Sequence, residues 1–152
     1  MLLESLLAYL HLSTILMLVV FLTVEGALCR TEWLNADALK RLLRVDILYG
    51  VSALLVLLSG LARIWLGAKG ADWYLHQPLL HIKITLFVVA ALLSIPPSLA
   101  FRRWHREWRA TGQLPLAADV RRIRRFIMIG AHTIMLIPLF AVLLARGVWT
   151  VA

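Results

Sequence analysis

Four long apolar runs dominate the hydropathy pattern of the chain. They cover residues 3–24, 46–66, 78–99 and 126–145, to within a few positions, and a helix needs about 20 apolar residues to cross a bilayer. Each run is too long for a buried strand. Inside lipid a segment must also satisfy its backbone hydrogen bonds internally, which favours a helix. The pattern therefore predicts an all-α fold, an integral membrane four-helix bundle that forms a single domain over residues 1–152.

Basic residues are distributed unevenly between the connections of this bundle. Four lie between the first and second runs, and eight arginines lie between the third and fourth runs. The opposite side carries Arg63, Lys69 and Arg146. Because Lys and Arg accumulate in cytoplasmic loops, we expect the long basic loop between helices 3 and 4 in the cytoplasm and both termini outside. The expected location is the bacterial inner membrane.

The tryptophans give an independent test of this topology. None of the six falls in the middle of a run, as expected for side chains that prefer the membrane–water interfaces. At the proposed inner boundary lie Trp33, Trp104 and Trp108, and at the outer boundary Trp65, Trp73 and Trp149.

Composition narrows the class of protein. Hydrophobic residues make up 62% of the chain and charged residues 16%, whereas a soluble domain is about half apolar and about a quarter charged. This excludes disorder, a fibrous repeat and an ordinary soluble enzyme. The net charge of +8 is best explained by anionic lipid rather than by nucleic acid. The single cysteine, Cys29, excludes an internal disulfide and a thiolate metal cluster.

Ionisable groups inside the runs are the candidate functional residues, because burying them in lipid is costly. With a rise of about 1.5 Å per residue, five of them belong to the outer leaflet or its mouth, namely His11, Arg63, His76, His81 and Lys83. His132 enters from the cytoplasmic end and reaches a depth near those of Glu25 and Asp46.

Histidines from different helices at similar depth are what a b-type haem needs, since its iron takes two axial side chains. His11 is the best single candidate ligand, with His81 or His76 opposite. Arg63 or Lys83 could pair with the propionates. His81 and Lys83 are two positions apart, so they cannot both face one small ligand on a regular helix.

A weaker second haem site is conceivable at His132, with Met128 or Met135 nearby. The alternative for any of these histidines is a hydrogen bond to a neighbouring helix.

Two resemblances follow from these residues. The string from Tyr74 to Phe87, with Leu93-Ser-Ile-Pro-Pro after it, resembles a bacterial family of four-span predicted membrane proteins without an assigned activity. More distantly, His11 and the string His81-Ile-Lys83-Ile84 are similar to the HemJ-type membrane protoporphyrinogen oxidases and to CopD-like membrane domains. The HemJ resemblance implies a haem b, with His11 as a ligand and Lys83 as a contact of porphyrin carboxylates or propionates.

The leading hypothesis is therefore a haem b membrane protein that moves electrons at the outer leaflet and oxidises a small anionic or porphyrin-type reactant. Its expected partners are the lipid bilayer, a quinone or another redox partner, and a second copy of the chain. No nucleic-acid partner is expected. Two alternatives stay open, a non-enzymatic membrane subunit or scaffold and a CopD-like protein that handles copper or another metal.

Overall fold

A computed structural model describes residues 2–67 and 70–148 of the chain. Lys69 and Trp149, which entered the topology prediction, lie outside these ranges. The described residues form helices and connections, without a strand. The helices are α1 (Leu2–Leu28), α2 (Ala36–Leu66), α3 (Gly70–Leu75), α4 (Pro78–Thr111) and α5 (Ala117–Ala145).

Helices α1, α2, α4 and α5 are each long and apolar enough to cross a membrane. This confirms the prediction of an all-helical, four-span protein. The orientation in the membrane stays a prediction that depends on the arginine distribution. Short α3 connects α2 to α4 on the side where the sequence has few basic residues.

All four spanning helices are longer than their apolar runs, and each extends mainly on the arginine-rich side. Helix α2 begins at Ala36 because Asn35 caps it, its side-chain oxygen accepting the Ala38 N–H at 2.8 Å. Helix α4 continues to Thr111 and ends where Gly112 adopts a left-handed conformation with φ of 72°. Apolar runs mark the hydrocarbon thickness, whereas capping residues mark the helix ends.

The four long helices form a ring in which each contacts two neighbours. Helices α1 and α2 pack as one hairpin and α4 and α5 as a second, and the hairpins meet through α2 with α4 and α1 with α5. Five of the best-buried side chains cluster on the arginine-rich side, namely Leu39, Leu42, Phe101, Trp104 and Val120. Many leucines remain on the outer faces, as expected when lipid replaces water as the solvent.

Arg124 of α5 ties the first hairpin to the second at this inner end. Its guanidinium donates to the carbonyl oxygens of Gly26 and of Cys29, the latter at 3.4 Å. These carbonyls close the C-terminal end of α1, where a helix leaves acceptors unpaired and a positive charge is favourable. Burial raises the pKa of the Cys29 thiol beside it to about 12, so this cysteine stays neutral at physiological pH.

Replacing Arg124 with alanine is expected to destabilise the protein by about 1–3 kcal/mol, because hydrogen bonds from a charged donor are lost and the carbonyls stay buried. The measurement is the melting temperature in detergent or nanodiscs. Arg122→Ala, at an exposed position of the same helix, is the matched control and should leave the melting temperature unchanged. Equal shifts for the two variants would contradict the role given to Arg124.

Candidate functional site

His11 is held against α2 by a hydrogen bond to Ser59. The Ser59 hydroxyl donates to the Leu55 carbonyl oxygen at 2.7 Å. Ser59 Oγ also lies 2.8 Å from His11 Nδ1, and it accepts the Nδ1–H in the tautomer that carries its proton on that nitrogen. With the proton on Nδ1, the Nε2 atom keeps its lone pair and is the atom that can bind a metal.

Gly60 and Thr14 also position the His11 ring. A Cβ atom at Gly60 would stand 3.2 Å from His11 Cε1, so the ring lies against α2 in space that only glycine leaves free. The Thr14 hydroxyl donates to the His11 carbonyl oxygen at 2.8 Å. It also lies 3.3 Å from the Ser59 hydroxyl. Small and hydroxylated residues thus join α1 to α2, as is common between membrane helices.

Two cationic side chains accompany this histidine. Arg63 lies one helical turn beyond Ser59 on α2, and Lys83 lies on α4; both are partly buried. Their positive charges act on the His11 ring, and Arg63 also acts on Lys83. In the part of the chain that the structure describes, neither takes part in an ion pair with an acidic side chain. The site is therefore electropositive and suited to an anionic group.

The other two outer histidines point away from this group. His81 is exposed, and its Nε2 lies 2.8 Å from the Leu75 carbonyl oxygen. His76 is also exposed, with Nδ1 2.7 Å from the carbonyl oxygen of Asp72. On α4 it is Lys83 rather than His81 that turns towards His11, in keeping with the two-residue offset. The structure thus brings together His11, Arg63 and Lys83, and leaves His76 and His81 at the surface.

His132 occupies an exposed position on α5. Its Nδ1 lies 2.6 Å from the Met128 carbonyl oxygen of the preceding turn. The acidic residues at similar depth, Glu25 and Asp46, are instead buried inside the bundle. Asp46 accepts a hydrogen bond from the Ser98 hydroxyl. The sequence indicated their depth, and the structure adds that both acids face the interior while His132 does not.

A family described as "Predicted membrane protein (DUF2214)" matches residues 3–149. The chain belongs to this family. The match confirms the resemblance to a four-span membrane family and supports a multi-pass protein in a lipid bilayer, while the function of the family is unknown. No curated protein and no solved structure matches the chain.

The structure gives little support to a metal site built from several protein ligands in this DUF2214 chain. Across residues 2–67 and 70–148, no group of three or more His, Cys, Asp or Glu side chains is placed to hold one. A haem needs fewer protein ligands, because the porphyrin supplies four of the ligands of the iron and the chain one or two.

Proposed function

We propose that this membrane protein binds haem b in the outer leaflet and transfers electrons there. The observation that carries the proposal is the hydrogen bond from His11 Nδ1 to Ser59, which leaves Nε2 as the iron-binding atom. Histidine ligands of metals are usually oriented in this way by a hydrogen bond from the other ring nitrogen. The haem would supply one-electron chemistry.

The positive charges near His11 also support a haem as the ligand. A haem carries two propionates, and the site holds two cations, Arg63 and Lys83, without acidic partners among the described residues. A guanidinium or ammonium beside a carboxylate forms a strong, charge-assisted hydrogen bond. Arg63 and Lys83 would thus hold the propionates and His11 the iron. The same charges would attract a small anionic or porphyrin-type reactant to the outer surface.

The remaining parts of the proposal extend from this site. His81 or His76 would supply a second protein ligand to the haem after releasing its present carbonyl partner. The electron partner is a quinone or another redox protein, and a second copy of the chain could complete the assembly. The arginine distribution supports a location in the bacterial inner membrane with both termini outside.

The purified protein is expected to carry about one haem b per chain. Absorption spectra before and after dithionite should show a Soret band that shifts and an α band that sharpens on reduction, and the pyridine haemochrome gives the stoichiometry. A protein that stays colourless after haem supplementation would overturn the proposal and favour a scaffold. Stoichiometric copper without porphyrin, measured by elemental analysis, would favour the metal-handling alternative instead.

A further inference from the structure

Glu25 has a buried carboxylate oxygen without a hydrogen-bond partner. The side chain belongs to the last turn of α1 and is 3% exposed. Its Oε1 atom finds no partner among the described residues. An unsatisfied buried polar atom costs about 1–3 kcal/mol, and more when it is charged. Such an atom in a native structure calls for a ligand, an ion or a water molecule that completes its bonding.

A second buried carboxylate stands beside it. Asp46 of α2 is 5% exposed, accepts the Ser98 hydroxyl hydrogen and acts electrostatically on Glu25. Both acids also act electrostatically on the Tyr49 hydroxyl, which lies on the next turn of α2. Oxygen atoms from α1, α2 and α4 therefore converge in the cytoplasmic half of the bundle.

The surrounding charges leave this group negative. Arg102 of α4 acts on Asp46. Arg124 of α5 lies near Cys29, but its guanidinium is occupied by the carbonyls at the end of α1. Arg102 is exposed, and among the described residues neither carboxylate forms an ion pair with a basic side chain. A bound positive charge would offset the charge of the group, and a buried charge is tolerated only when it is compensated.

A small cavity lies beside Ser98, the hydrogen-bond partner of Asp46, and neither acid is part of its lining. It measures about 80 Å³ and includes three hydroxyl-bearing side chains in its lining, Tyr49, Ser94 and Ser98. Ser98 lines the cavity and donates its hydroxyl hydrogen to Asp46, so this one side chain links the acid to the cavity wall. A water molecule takes about 30 Å³ in the liquid, so the space admits a small ion or a few waters and excludes an organic cation.

From these contacts the geometry points to a binding site for one monovalent cation, a proton or Na⁺, between Glu25 and Asp46. The hydroxyl groups of Tyr49, Ser94 and Ser98 supply further oxygen ligands or hydrogen bonds through water. Oxygen ligands suit a hard cation, and a third carboxylate, which a divalent ion would favour, is missing from the described group. The site is independent of the proposed haem and lies in the opposite half of the bundle.

Infrared spectroscopy of the protein in liposomes tests the proton. A bound proton should give a carboxylic acid C=O band that shifts in D₂O and disappears in Glu25→Gln or Asp46→Asn. A matched control is Glu107→Gln, which removes an exposed acid on α4 and should leave the band intact. Persistence of the band in both buried variants would overturn the assignment to this pair.

Sodium is tested by melting curves in NaCl and in choline chloride at equal ionic strength. Bound Na⁺ should raise the melting temperature of the wild type with concentration and have no effect on Glu25→Gln. If a buried variant does not fold, Ser98→Ala keeps both acids and should weaken the response about tenfold in concentration, since it removes one oxygen contact. A wild type with neither a carboxylic acid band nor a sodium response would overturn the proposal, whether or not it contains haem.

Discussion

Replacing His11 with alanine is expected to lower the haem content to less than about a tenth of the wild-type value. The change removes the one ring nitrogen that a buried hydrogen bond presents for coordination. Loss of a residue that only orients a metal ligand already costs about 10–100-fold in affinity, and loss of the ligand itself should cost more. Haem per chain, from the pyridine haemochrome, and the Soret absorbance are the measurements.

Two further variants separate coordination from folding. Ser59→Ala keeps the ligand but removes its hydrogen-bond acceptor, so it should weaken haem binding about 10-fold and shift the midpoint potential. His105→Ala, in the extension of α4 on the arginine-rich side and away from His11, should retain the wild-type spectrum. Full haem content in His11→Ala, or equal loss in His105→Ala, would contradict the role of His11.

The spanning helices were predictable because a lipid environment restricts the chain to very few solutions. A run of about 20 apolar residues has to form a helix, and the four runs needed no knowledge of tertiary contacts. The helix ends were less predictable. Helix α2 starts at Ala36, ten residues before its apolar run begins at position 46. This end lies outside the lipid, so the Asn35 cap and packing in water determine where the helix begins.

Within the candidate site, depth was predictable from the sequence but rotation was not. Counting residues placed His11, His81 and Lys83 in the same leaflet, and the two-residue offset implied that one of the last two must turn away. Which one faces His11 depends on how α4 rotates against α2, and the structure selects Lys83. A prediction of the ligand partner needs this rotation.

Sequence patterns could not predict the contacts between distant parts of the chain. Asp46 meets Ser98 across 52 positions, and Arg124 meets Gly26 across 98. Both pairs depend on which helices are neighbours in the ring. The sequence does not distinguish Arg124, which contacts α1, from the other arginines around it. The position of Glu25 at the end of an apolar run was the available signal for the inner acidic pair.

Replacing Gly60 with leucine is expected to separate α1 from α2 in the outer half of the bundle and to displace His11. A Cβ atom alone would already stand 3.2 Å from the His11 ring, and the rest of the leucine side chain has to occupy the same space. Overpacking of this kind costs about 1–3 kcal/mol, which lowers the melting temperature by several degrees at about 2–4 °C per kcal/mol. Haem content should fall with it, because the hydrogen bond to Ser59 requires the close approach.

Gly50→Leu provides the matched control on the same helix. A Cβ atom at Gly50 meets nothing within 4 Å, so the leucine can extend into open space, and the helix gains up to about 1 kcal/mol from replacing glycine. We expect an unchanged or slightly higher melting temperature and an unchanged haem spectrum. If Gly60→Leu behaves like Gly50→Leu in both measurements, the close packing of His11 on α2 is not what positions its ring, and the orientation of Nε2 must have another origin.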